Sequence, residues 1–197
     1  YLAYSMEMKK DEKEAEEYYH IAADIAIKND NDAVAERVCK DMAEFNWNRG
    51  NFEQAEMGYW HEIRHLLNLY GFYSKKTIAC LNNIAQAMTK QEIVHWQVIL
   101  RCFEFVYILS SDKEEYKQTH QSASNGIGVS IEHLKQEDES FDDENYRIDL
   151  ESAVIVLMDY TIGLGMYSTT HQLYVSFLEE IAANSGITVD GYYLINL

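Results

Sequence analysis

An all-α fold is what this chain predicts, built as an antiparallel helical-hairpin solenoid wound into a right-handed superhelix of about four helical pairs. Three observations carry that expectation. There is no proline among 197 residues, where average usage of about 5% would supply about ten, and proline is the residue that breaks helix interiors. Apolar residues recur at the 3.6-residue period of a helix along most of the length, with no convincing strand pattern. One pair of helices also returns at a spacing of about 40 residues, which is how a repeat architecture announces itself.

The best-formed pair lies at residues 36–69, ERVCKDMAEFNWNRGNFEQAEMGYWHEIRHLLNL. It reads as two helices with a tight break at Asn48-Arg49-Gly50-Asn51. Val38, Met42, Ala43 and Phe45 recur at helical spacing in the first; Phe52, Ala55, Tyr59, Ile63, Leu66 and Leu67 do so in the second. Ala43 and Ala55 stand where two helices must approach closely, and Phe52 and Tyr59 where space must be filled. Residues 11–28 repeat the second helix: Ala15 and Ala55 lie 40 apart, as do Tyr19 and Tyr59, and EAEEYY aligns with QAEMGY without gaps. Residues 29–32, Asn-Asp-Asn-Asp, supply a turn and an N-cap before Ala33 begins the next helix. Residues 1–10 would end the first repeat's front helix. At residues 74–88, Ile84-Ala85 follows Met42-Ala43 by 42. Its partner, at 92–109, carries Val94, Ile99, Phe103, Val106 and Tyr107, with Ile99 matching Ala55 after a slip of two or three residues. Hairpins of the tetratricopeptide type have a period of about 34 residues, longer when the helices are extended.

Residues 112–146 depart from this pattern. A helix at 113–135 is weakened by Ser122–Gly128, which includes two glycines, and 136–145, QEDESFDDEN, is an acidic linker exposed to solvent. The pattern resumes at 146–165, with Leu150, Val154, Leu157, Met158 and Ile162 as its core stripe. Its mate at 168–184 buries Leu173, Phe177, Leu178 and Ile181; Gly163 and Gly165 weaken one helix end and Gly186 closes the other. Residues 1–197 make one domain, reading as part of a longer chain.

Sixteen Lys and Arg against 33 Asp and Glu give a net charge of −17. That balance disfavours nucleic acid and anionic membrane as partners, both being polyanions, and suits basic protein surfaces. The longest apolar run, 153–158, falls far short of the ~20 residues a membrane helix needs. Cys39, Cys80 and Cys102 are isolated, with no CxxC, and read as buried reduced thiols.

The sharpest chemical motif is His61-Glu62-Ile63-Arg64-His65, an HExxH of the kind that holds zinc from one helix face. It lacks a third-ligand pattern, since Glu92, His95 and Glu104 stand at no recognisable spacing. It also falls in the packing helix of the best repeat, where Glu62 matches Ala22. The histidines read as surface or partly packed, with no metal, no cofactor and no catalytic residue. Gly126-Ile127-Gly128 has no strand before it, and Asp142-Asp143 lacks calcium-loop spacing. What remains is a concave face for a protein partner rather than a small-molecule substrate: Arg37, Lys40, Glu44, Trp47 and Asn48 from one front helix, Asn82, Asn83 and Gln86 from the next. Trp47 is equally well placed to be core.

The run through Leu69, with DEKEAEEYYHIAADIAIKNDNDAVAE, DMAEFNWNRGNFEQAE and then RHLLNLYG, resembles the mitochondrial tetratricopeptide repeat protein 19 family. The acidic start, Asp-Asn turn, Met-Ala pair, Gly-x-x-Glu-x-Ala-Glu hairpin and Leu-Leu…Gly ending come in that family's order. Later matches are looser: Ile84-Ala85, Phe103-Glu104-Phe105 and Asp159-Tyr160; residues 111–145 are longer and more acidic than its pattern. The resemblance implies a non-enzymatic factor at the matrix side of the mitochondrial inner membrane. Such a factor associates with the cytochrome bc1 complex (respiratory complex III) and promotes clearance of N-terminal fragments of its Rieske iron–sulfur subunit. Its membrane association would come through that complex. CLNNIAQAM also resembles the front helices of kinesin light chains, which implies instead a cytosolic adaptor for peptide cargo.

Overall fold

A computed structural model describes residues 12–29, 31–111, 114–138, 141 and 146–185. They form eight α-helices and, among the described residues, no strand. In chain order these are α1 (Glu12–Lys28), α2 (Asp32–Asn48), α3 (Phe52–Tyr70), α4 (Lys75–Met88), α5 (Trp96–Ser110), α6 (Lys117–Glu137, after a 3-10 turn at Glu114–Tyr116), α7 (Leu150–Gly163) and α8 (Tyr167–Ser185). Residues 1–10, Gly186 and most of the acidic run lie outside the described residues. Among the described residues, no helix is long and apolar enough to cross a membrane.

Local chemistry sets the helix ends. The Asn31 side chain accepts from Val34 N at the start of α2, Ser74 caps α4 by accepting from Thr77 N, and Asp149 caps α7 by accepting from Ser152 N. Between α2 and α3 the chain reverses through Gly50 at φ 77°, a left-handed conformation that glycine adopts without cost. Asn51 N closes that turn on Asn46 O at 3.0 Å, and buried Asn46 in turn donates from Nδ2 to Met42 O at 3.1 Å.

From α1 to α6 each helix packs on the next. The burial pattern repeats along this row. Ala15 and Ala55 are both 0% exposed, and Tyr19 and Tyr59 are buried alike. Cys39, Met42 and Ala43 of α2 correspond to Leu81, Ile84 and Ala85 of α4, all buried. In α5, Ile99 and Phe103 are buried where Ala55 and Tyr59 are in α3. A small apolar cluster of Ala15, Tyr19, Met42 and Phe45 joins α1 to α2, and one continuous core runs through the rest.

Several expectations are corrected. A linear stack, in which each repeat meets only its neighbours, stops at α6. The α7–α8 hairpin turns back, α7 lying on α5 and α8 on α3. Helix α5 starts at Trp96 rather than 92, and α7 starts at Leu150, Tyr146–Asp149 lying outside any helix. Ile162 and Ile181, expected in the core, are 46% and 44% exposed. The Ser122–Gly128 stretch is unbroken helix, and Gly126 is a contact point: a Cβ there would lie 2.5 Å from the Phe103 ring. Its missing side chain lets α6 lie close on α5. The acidic linker begins only after Glu137, and within it Phe141 packs against Tyr146 with ring centroids 5.7 Å apart.

Candidate partner-binding face

Arg37, Lys40, Glu44 and Asn48 recur at three- and four-residue steps along α2, so they share one face, and all four are exposed. Lys40 Nζ lies 3.6 Å from Glu44 Oε1, an i,i+4 pair. Beside them, burial and the nearby Glu44 raise the Asp41 carboxyl, which Arg37 opposes. Lys40 and Glu44 stand 42 residues before Asn82 and Gln86, the same interval that relates the buried positions of α2 and α4.

The α4 candidates are less open. Asn82, Asn83 and Gln86 are half-buried, and Asn82 Oδ1 is buried with no hydrogen-bond partner. Trp47 resolves toward packing: it is half-buried against the main core and meets Phe52 edge-on, centroids 5.3 Å apart. The accessible polar set is therefore Arg37, Lys40, Glu44 and Asn48.

Two polar ties that the sequence pattern did not single out hold this face. Lys76 Nζ of α4 reaches Glu36 Oε1 of α2 at 3.1 Å, and this contact raises the Lys76 ammonium. At the open end of the α2–α3 hairpin, Asp32 receives both His65 and Asn68. His65 Nδ1 lies 2.6 Å from Asp32 Oδ1, and Asn68 Nδ2 donates to Oδ2. A carboxylate only accepts, so His65 Nδ1 carries the proton. The 40-residue interval between Glu36 and Lys76 was the one available signal.

The HExxH residues are therefore more deeply placed than surface histidines. His65 is 3% exposed and committed to Asp32. His61 is half-buried, and burial followed by the nearness of His65 lowers its imidazole. Glu62 is 5% exposed and faces thiols rather than solvent water. Among the described residues, no group of three or more His, Cys, Asp or Glu side chains could hold a metal ion. Cys39, Cys80 and Cys102 are buried free thiols, as the sequence implied.

No known family model matches the chain, and no curated protein matches it.

Proposed function

We propose that the chain is a non-enzymatic scaffold of the tetratricopeptide type, presenting the α2 face to a protein partner. The observation that supports it most is the burial register: small or apolar residues recur in α1, α3 and α5, and in α2 and α4, at intervals near 40 residues. Regular stacking of this kind leaves one set of side chains outside the core in each front helix, and in α2 that set is charged and exposed. The order of motifs through residue 69 favours one partner, the cytochrome bc1 complex at the matrix side of the mitochondrial inner membrane. On this reading the scaffold supports maintenance of that complex, including removal of Rieske subunit fragments.

Cross-linking in solubilised mitochondria tests it. Recovery of cytochrome bc1 subunits is expected, and replacing exposed Arg37 and Asn48 together by alanine should lower the yield while leaving thermal unfolding unchanged. Recovery of motor proteins alone would replace it with the kinesin-light-chain-like adaptor that CLNNIAQAM suggests.

A further inference from the structure

The least accommodated group in the stack is Glu62. It projects from α3 into the joint between α2 and α4, is 5% exposed, and leaves Oε2 with no hydrogen-bond partner. From α4 it faces the Cys80 thiol; Glu36, Lys40, Glu44 and the Cys39 thiol of α2, and Tyr59 of its own helix, lie within electrostatic reach. Lys40 is the cation that favours its ionised form, and Lys40 is half exposed and engaged with Glu44. Glu36 is already taken by Lys76. An ionised carboxylate buried without a committed cation is strongly disfavoured, and the usual escape is to hold a proton. Burial is the main cause that pushes Glu62 up from 4.5 to about 7; Glu36 and Glu44 add to it, while hydrogen bonding with the Cys80 thiol and the charge of Lys40 oppose it without cancelling it.

We propose that Glu62 is a proton-operated latch on the joint of α2, α3 and α4: the neutral acid lets the three helices close, and ionisation loosens them. The sign follows from linkage. The unfolded chain binds this proton with the ordinary affinity of a glutamate and the closed joint binds it more tightly. The stabilisation is thus full below about 4.5, is lost as pH rises through about 7, and is absent above that. Because α2 carries Arg37, Lys40 and Glu44, the latch controls the helix that presents the candidate face. It stands whether or not that face binds a partner.

Unfolding of the full chain by denaturant, from pH 5 to 8.5, is the test, with Glu62→Gln beside the unaltered protein. Glutamine keeps the shape and cannot ionise. The folding constant of Glu62→Gln relative to the unaltered protein should rise on the order of a hundredfold across that range. A ratio that stays constant with pH would overturn the latch. A second measurement needs no variant: alkylation of Cys39 and Cys80 relative to Cys102, read by peptide mass spectrometry at pH 6 and pH 8. Cys102 lies on α5 outside the joint, so the ratio removes the general rise in thiol ionisation. It should rise about tenfold or more. Equal acceleration of all three thiols would also reject the proposal.

Discussion

Between α2 and α3 the contact is apolar and close. A Cβ on Gly58 would lie 2.9 Å from Ala43 Cβ, so the two backbones meet with nothing but small groups between them. Between the α7 region and the stack, apolar packing is joined by buried carboxylates that act as polar fastening points. Glu56 of α3 accepts from Trp60 Nε1 at 2.9 Å, Gln91 Nε2 at 2.6 Å and Tyr160 OH at 2.9 Å. Glu104 of α5, 0% exposed, accepts from Arg101 Nη1 at 2.7 Å and from Tyr146 OH. The α2–α3 contact at Ala43 and Gly58 is held by fit, whereas the returning hairpin adds, to the apolar share of the core supplied by Ala153, Val154, Leu157 and Leu173, a few polar points at which failure is local. Fit is intolerant of a change in volume; a buried carboxylate is intolerant of the loss of a partner.

That contrast can be broken by experiment. The largest effect is expected from Ile63→Ala, because Ile63 is 0% exposed within the stack. It should lower global stability by about 4 kcal/mol, measured by denaturant unfolding, with all probes shifting together. Glu56→Ala should cost about 3 kcal/mol by stranding three donors. Tyr160 is the donor among these on the returning hairpin, so amide hydrogen exchange should accelerate in α7 and around Trp60 and Gln91 before it does in α1 and α2. Even acceleration across all helices would erase the distinction drawn above.

Gly58→Ala should cost about 2 kcal/mol in thermal unfolding, since crowding against the Ala43 backbone outweighs the better helix propensity of alanine. The smallest effect is expected from Asp149→Ala, at about 1 kcal/mol, by removing the cap that starts α7. Hydrogen bonding to Ser152 holds the Asp149 carboxyl below its ordinary value. Its contribution is therefore present above the ordinary carboxylate range and is lost as pH falls through the lowered value. Helicity of α7 followed by hydrogen exchange at pH 6 and pH 3 should show that loss in the native protein and not in the variant.

The helices of the stack were legible because each has one apolar face, and a one-sided pattern states both its period and its orientation. In α7, LESAVIVLMDYTIG is apolar nearly all round. The period there predicts a helix without choosing its buried side, and Ile162 was assigned inward when it faces out. Gly126 was read through propensity, which counts glycine as a weakness. Its use is a matter of contact with Phe103, 23 residues earlier, and no local rule contains that. Glu56 and Glu104 were hidden for a related reason. A carboxylate in sequence looks solvated until its partners are known, and Tyr160 and Tyr146 lie 104 and 42 residues downstream. Of the candidate face, the α2 stripe was readable from spacing alone. The half-burial of Asn82, Asn83 and Gln86 depended on how neighbouring helices lie, which spacing does not report.

The return of α8 to α3 also sets a schedule for the ribosome. Thr169 donates to the carbonyl of Trp60 across 109 residues of chain, whereas α3 meets α2 and α4 within a few tens of residues. At about 5–20 residues per second, synthesis places the partner of Trp60 some 5–20 s after Trp60 itself. Throughout that interval the α3 surface that α8 finally covers is open, and the Trp60 indole, bonded to Glu56 of its own helix, still lacks Tyr160 of α7. A nascent polypeptide halted between residues 110 and 165 should accordingly bind general chaperones through α3, and release them once α8 has emerged.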